Sequence, residues 1–292
     1  MKNKTPYFSF GRNWTEYVKN FLDEEKIEIS KKSFSKYMPE EEYKGKTFID
    51  IGCGSGIFSL SALRLGCAKV ISFDVDPHSI NATKLTKEKF AKENLENWEI
   101  FEGSILDENL VKRFESQGDV VYSWGVLHHT GNMWKAIENA AKLVKPGGKF
   151  IIAIYNKTAS SEFWLKMKRF YNNSPKWIKL FLIYFYFGYV MFRRFGSYCK
   201  SALIGKPRPF RLKDILGRER GMSIFYDVID WLGGYPYEFA TVEEINSFVE
   251  KLNFSLVSNP TKLISIPKKI FNRFSFDQTG CNEFVFKKNE NH

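Results

Sequence analysis

Residues 48–56 read Phe-Ile-Asp-Ile-Gly-Cys-Gly-Ser-Gly. An apolar run ends at Asp50, and Gly52, Gly54 and Gly56 follow at every second position. Few folds accept that pattern. An apolar segment ending in alternating glycines is a strand that feeds a tight turn, and the turn opens a helix. Glycine has no Cβ, so the backbone there can take positive φ and a ligand can come close. At the carboxyl edge of a parallel sheet, such a turn is where nucleotides dock.

The chain downstream keeps alternating strand and helix signals. Lys69-Val70-Ile71-Ser72-Phe73 is a short strand that ends at Asp74. Trp98 to Glu102 is a third strand, followed by Gly103-Ser104-Ile105. Asp119 to Ser123 is a fourth, followed by Trp124-Gly125-Val126-Leu127-His128-His129. Lys145-Pro146-Gly147-Gly148 is expected to turn into a fifth strand, Lys149 to Tyr155. The helix after the glycines is expected from Ile57 to Leu65, with Gly66 stopping it. Pro77 suits the first turn of the next helix. Thr241-Val242-Glu243-Glu244 has a capping-box pattern. Phe254 to Ile264 and Cys281 to Lys287 read as two final strands. The alternation indicates an α/β sheet wound on both faces.

The glycine spacing selects among nucleotides. A dinucleotide fingerprint is G-x-G-x-x-G. Here the third glycine comes one residue early, and an acid stands two residues before the first. This variant resembles motif I of the class I S-adenosylmethionine-dependent methyltransferases. The Val126-Leu127-His128-His129 and Lys145-Pro146-Gly147-Gly148 segments resemble the methyltransferases of quinone biosynthesis and their small-molecule relatives. The matching motifs cover about residues 46–155.

The resemblance implies a doubly wound, seven-stranded, mostly parallel Rossmann-like sheet. Its last strand would be antiparallel, and a helical aromatic and basic insertion would follow the fifth strand. The implied cofactor is S-adenosyl-L-methionine. Asp50 would help hold its amino-acid end, and Gly52, Cys53, Gly54 and Gly56 would form the loop beside it. Asp74, next to Val75, would accept both ribose hydroxyls, since an ionised carboxylate has two acceptor oxygens. Ser104 and Ile105 would lie against the adenine, although many relatives carry an acid where Ser104 stands. Trp124 completes the expected cofactor set.

The 292 residues accommodate that core and more. Residues 1–45 read as a mostly helical leader and 46–155 as the cofactor-binding core. Residues 156–235 are the insertion, and 236–292 complete the sheet. The cysteines Cys53, Cys67, Cys199 and Cys281 are scattered without a C-x-x-C, which fits a reducing cytoplasm. The four histidines show no metal-ligand spacing, so no metal is expected. Met1 to Pro6 lacks the apolar core of a signal peptide.

Charge is unevenly placed. The chain carries +11, yet residues 157–220 alone hold 15 Lys and Arg against three acids. Within them Trp177 to Phe192 is almost wholly apolar and aromatic, and Arg193-Arg194 follow at once. The run is short for a membrane span, which needs ~20 apolar residues. Three readings stand. It is a buried helix of a lid or oligomer contact, or a helix resting in an anionic membrane interface, with the protein peripheral to the inner face of the membrane. The third is a nucleic-acid surface, which the sequence favours less.

Methyl transfer from a sulfonium is an in-line displacement, so alignment dominates. An oxygen nucleophile must also lose a proton. His128 and His129, just past the fourth strand, are candidate bases. Asp227 is a rival on the insertion, as are Asp230 and Glu238. Asn13 and Trp14 near the N-terminus, and Asp230, Tyr235 and Tyr237 around Gly-Gly-Tyr-Pro-Tyr, are candidate walls of a substrate pocket. Ser123-Trp124-Gly125-Val126 lacks the Asn/Asp-Pro-Pro-Tyr/Phe pattern of methylases that act on amino groups of nucleic-acid bases. The expected activity is O-methylation of a small, glycan-linked or lipid-linked acceptor. An RNA methyltransferase using the basic segment, a non-catalytic cofactor-binding module and a dehydrogenase are the alternatives.

Overall fold

The alternating pattern builds a seven-stranded sheet of order β3-β2-β1-β4-β5-β7-β6. The structure is a computed structural model and describes residues 11–91, 95–203, 224–260 and 280–290. The strands are β1 (Thr47–Ile51), β2 (Lys69–Asp74), β3 (Trp98–Glu102), β4 (Gly118–Trp124), β5 (Val144–Tyr155), β6 (Phe254–Ser258) and β7 (Cys281–Lys288). β1 to β5 are parallel, and β7 runs antiparallel to both β5 and β6. The winding direction reverses between β1 and β4. The loops that leave these two strands therefore flank the crevice at the carboxyl edge.

The inner parallel strands β1, β2 and β4 are mostly buried and read as near-continuous apolar runs. Ile49, Ile71, Val121 and Ile152 lie within one core cluster. Helices α3 (Ile57–Arg64), α4 (Pro77–Phe90), α5 (Glu108–Phe114) and α6 (Met133–Lys142) connect the strands. Gly66 ends α3 with φ +86°, and Pro77 sits in the first turn of α4 behind the Asp76 cap.

Two strands differ from the sequence expectation: β6 ends at Ser258, and residues 261–264 of the expected strand lie outside the described residues. Lys145-Pro146-Gly147-Gly148 lies inside β5, which begins at Val144. Val144 pairs with Gly118 and Lys149 with Val120, so the segment bulges out between two paired stretches. Proline and the positive φ of Gly147 suit such a bulge. The leader is also part of the sheet's packing. Its helices α1 (Gly11–Asn20) and α2 (Glu24–Ser33) are followed by Phe34, which is fully buried against Phe48, Tyr43 and Tyr122.

The chain divides into two compact units. One, Ser9–Phe163 with Pro236–His292, contains the sheet. It also contains α10 (Val242–Glu250), whose first turn shows the full Thr241–Glu244 capping box. The other includes Trp164–Tyr235 and is helical among the described residues. Helices α7 (Ser161–Asn173), α8 (Lys176–Leu203) and α9 (Ile224–Gly233) supply it. Trp164 meets Tyr186 of α8 at 5.5 Å and Trp231 of α9 at 5.1 Å, both edge-on. Lys168 is buried, donates to the Trp231 carbonyl and lies over the indole at 4.0 Å. Burial pushes its ammonium down to about 7 while the nearby Asp230 charge opposes that shift.

Candidate active site

Gly52, Gly54 and Gly56 all hold positive φ, at +73°, +56° and +75°. Each is also sterically closed. A Cβ on Gly52 would stand 2.5 Å from Val126 Cγ1, and one on Gly56 would stand 2.8 Å from Thr83 Cγ2. The first contact brings the β4 exit against the β1 loop. The loop carbonyls are tied down from α4. Thr83 Oγ1 donates to the Gly54 carbonyl (3.1 Å) and Thr86 Oγ1 to that of Ser55 (2.6 Å). Backbone N–H groups of Gly52 and Cys53 donate to the Phe73 carbonyl of β2. The turn is thus held rigidly on both sides. The sequence did not mark Thr83 or Thr86, because their partners lie about 30 residues away.

The two acids have different surroundings. Asp50 is buried, and its Oδ2 accepts from Ser59 Oγ of α3 (2.5 Å). Ser59 and Ser72 hydroxyls lie 2.8 Å apart, and Trp98 Nε1 donates to Ser72 at 2.8 Å. A line of donors therefore runs from β3 through β2 and ends on Asp50. Burial lifts the Asp50 carboxyl to about 7, against the Ser59 bond and with the Asp74 charge. One carboxyl oxygen of Asp50 thus faces the interior between sheet and α3.

Asp74 stands at the tip of β2. Its Oδ2 accepts from Gly54 N–H (3.1 Å) and its Oδ1 from Asp76 N–H (2.9 Å). A carboxylate offers about four lone-pair sites, so capacity for further donors remains. Burial raises its pKa, and the two amide bonds oppose the rise. Val75 beside it is 55% exposed.

Beyond β4, Leu127–His129 form a single 3-10 turn. His128 is fully buried, with its ring 4.0 Å from Tyr155 and 4.5 Å from His129. His129 is half-buried, and its Nδ1 lies 2.6 Å from the Pro236 carbonyl. A carbonyl only accepts, so Nδ1 carries the proton and Nε2 the lone pair in the neutral ring. The backbone carbonyl of Pro236 thereby sets the tautomer of His129, whereas His128 is packed as a core ring.

Glu238, read as a rival base, caps a helix. Both its oxygens accept from the Met133 N–H that opens α6 (3.1 and 3.0 Å). Burial raises its pKa, and the Met133 bond opposes this. Tyr237 is buried against Tyr155 at 5.3 Å, and its hydroxyl is pushed up to about 12 by burial. Ser104 Oγ accepts from Leu106 N–H (3.2 Å), and Ile105 is buried with its carbonyl held by Asn139. Trp124 turns its indole N–H to Glu283 of β7 (2.8 Å).

Asn13 and Trp14 lie on α1. The Trp14 indole packs on the glycine loop, with Nε1 3.2 Å from where a Gly54 Cβ would be. Gly11 N–H donates to Asp76 Oδ2 (2.9 Å), which fixes the start of α1 beside α4. Asp230 and Tyr235 belong to the helical unit. The Asp227 side chain lies outside the described residues.

Sheet order and glycine loop together define a class I methyltransferase fold. A family model described as a methyltransferase domain matches residues 17–182, more than half of the chain, and the chain belongs to that family. It is similar to the mitochondrial ubiquinone biosynthesis O-methyltransferase of Dictyostelium discoideum. The identity is 30% over 137 residues, covering 46% of this chain and 43% of that protein. It is also similar to the ribosomal protein L11 methyltransferase of Photobacterium profundum. There the identity is 34% over 117 residues, covering 40% of this chain and 36% of that protein. The chain thus spans less than half the length of these curated relatives. Among solved structures, an O-methyltransferase family protein from Burkholderia thailandensis superposes with a TM-score of 0.53 at 14% identity, over 97% of this chain and 60% of that one. The YcgJ protein of Bacillus subtilis gives 0.50 at 11% identity, over 92% of this chain and all of that one. These superpositions show the fold alone.

The residues present fit S-adenosylmethionine, the cofactor of this class. The glycine loop is held in one shape by Thr83, Thr86 and the Phe73 carbonyl, and Asp74 presents an amide-oriented carboxylate one strand away.

Proposed function

We propose that this chain methylates an oxygen of a small, glycan-linked or lipid-linked acceptor, using S-adenosylmethionine. The observation that carries this reading is the 2.6 Å contact between His129 Nδ1 and the Pro236 carbonyl. It leaves the lone pair on Nε2 of a residue at the β4 exit, the segment that meets the glycine loop where Val126 lies against Gly52. The cofactor, when bound, supplies an electrophilic methyl group on a sulfonium. The chain supplies placement and a proton acceptor. The Gly52–Gly56 turn would present its backbone to the ligand, and Asp74 would accept from hydroxyl groups. His129 Nε2 would take the acceptor's O–H proton as the oxygen bonds to the methyl carbon, whose bond to sulfur would break and leave its electron pair on the departing thioether. The proton then leaves the imidazolium to solvent. General-base assistance of this type contributes ~10²–10⁴ in rate.

Asp50 and Trp124 act as supports in this reading. Asp50 ties the loop strand to α3, and Trp124 ties the β4 tip to β7. Free Cys53 and Cys67, both buried, support a cytoplasmic, reducing setting.

The test pairs binding with turnover. Calorimetry should show S-adenosylhomocysteine binding to the full chain. Methyl-labelled S-adenosylmethionine should then label phenolic, glycan or lipid acceptors in a His129-dependent way. Tight NAD binding without S-adenosylhomocysteine binding would overturn the cofactor assignment. Label appearing only in RNA or protein would overturn the acceptor class.

A further inference from the structure

Helix α8 exposes what a buried helix would hide. Trp177, Leu180, Phe181, Phe185, Phe192 and Phe195 are 53–75% exposed. At 100° per residue they fall on one face, while Ile183 and Tyr186 point away from it and are buried. In the single chain this face of the helix is therefore uncovered. The helix runs 28 residues from Lys176 to Leu203 with five basic residues and no acid. At the same spacing Lys176, Lys179, Arg193 and Arg194 lie on the half of the helix away from the aromatic face, and their long stems let ammonium and guanidinium groups reach around it. No helix among the described residues is long and apolar enough to cross a membrane.

We infer that α8 is a membrane-surface anchor that lies in the interface of an anionic bilayer. The aromatic face would enter the boundary between headgroups and acyl chains, and the long basic side chains behind it would reach lipid phosphates. Charge separates this occupant from the others. A second copy would bring two segments of equal positive charge together. A nucleic acid would be met by the bases, leaving the apolar face in water.

The full chain should sediment with vesicles of phosphatidylcholine containing roughly a third phosphatidylglycerol, and far less with phosphatidylcholine alone. Salt at about 0.5 M should weaken binding, since the headgroup attraction is screened. Replacing Phe181, Phe185 and Phe192 together by Ser should weaken it about a hundredfold or more. Arg193→Gln with Arg194→Gln should weaken it about tenfold or more. Both variants should keep wild-type affinity for S-adenosylhomocysteine, which reports an intact sheet unit. Independently of any folding defect in these variants, brominated-acyl vesicles should quench wild-type tryptophan fluorescence, and Trp177→Phe should remove most of that quenching. Failure of the wild type to bind the anionic vesicles would overturn the anchor. So would serine-variant binding equal to wild type, or a dimer without vesicle binding that the serine substitutions dissolve. Vesicle binding needs no methyl transfer, so its failure leaves the catalytic reading intact.

Discussion

The indole of Trp14 lies against Gly54, so that a Cβ on that glycine would stand 3.2 Å from Trp14 Nε1. Helix α1 is thereby closed over the glycine loop, and Gly11 N–H holds its first turn to Asp76. Trp14→Ala should loosen that closure and weaken S-adenosylhomocysteine binding about tenfold, as expected for losing one aromatic wall worth ~1–1.5 kcal/mol. Gly54→Ala should be worse. It forces a side chain into left-handed backbone, costing roughly 1–2 kcal/mol, and presses on Trp14. Calorimetric affinity with a parallel melting curve checks both. Unchanged affinity in Trp14→Ala would show that α1 takes no part in ligand retention.

Asp74 carries a pH signature. Its folded pKa lies above the ordinary carboxyl value because burial outweighs the Asp76 and Gly54 amides. A ribose hydroxyl donates best to the ionised form. Cofactor affinity should therefore fall as pH is lowered, beginning at a higher pH than an ordinary aspartate would give. Asp74→Asn should bind about 10- to 100-fold more weakly at neutral pH, having lost a charged acceptor, and should lack the acid-side slope. Titrations from pH 8 to 5 on both proteins would reveal it. Parallel slopes would assign the dependence elsewhere.

The parts of this architecture that the sequence exposes are those written in local backbone demands. Three alternating glycines can only signal positive φ or close approach, and all three show both. Pro77 and the Thr241–Glu244 box mark helix starts for reasons contained within one turn. What stays hidden is set by distant partners. Proline and two glycines read as a turn before β5, because nothing local reveals that Val144 already pairs with Gly118. Glu238 reads as a titratable loop acid, yet it caps a helix that begins 105 positions earlier. Trp14 reads as a wall of a substrate pocket, and only the folding of α1 onto the loop brings its indole against Gly54. The aromatic run of α8 extends past Arg193 and Arg194, since arginine is a good helix former. Its exposure belongs to tertiary packing, which hydropathy cannot show.

The adjacent histidines should separate cleanly. His129→Asn keeps a polar group near the Pro236 carbonyl but removes the basic nitrogen. It should lower kcat by ~10²–10⁴ and abolish the acid limb of the pH–rate profile, with cofactor affinity and melting temperature near wild type. His128→Ala instead opens a cavity beside Tyr155 and His129. It should lower stability by roughly 2–4 kcal/mol, with kcat lost only in proportion to unfolding. The reverse pattern would exchange their roles.

Asp50 sets stability against pH. Its folded carboxyl titrates near 7 rather than at the ordinary 3.8, mainly through burial. Between those values the folded chain binds more protons than the unfolded one. The Asp50 contribution is therefore fully present below the ordinary carboxyl range and is lost as pH rises through about 7. Asp50→Asn removes the charge but keeps an oxygen to accept from Ser59 Oγ. The variant should melt higher than wild type at pH 8, by an amount corresponding to roughly 2–4 kcal/mol, with a gain at pH 5 that is less than half as large. If the amide lowers stability by the same amount at both pH values, Asp50 is ionised within the fold and its donors outweigh its burial. S-adenosylhomocysteine titration of the same variant then shows whether the charge also serves the ligand. Weaker binding in a more stable protein would mean that the buried acid is kept for function at the expense of the fold.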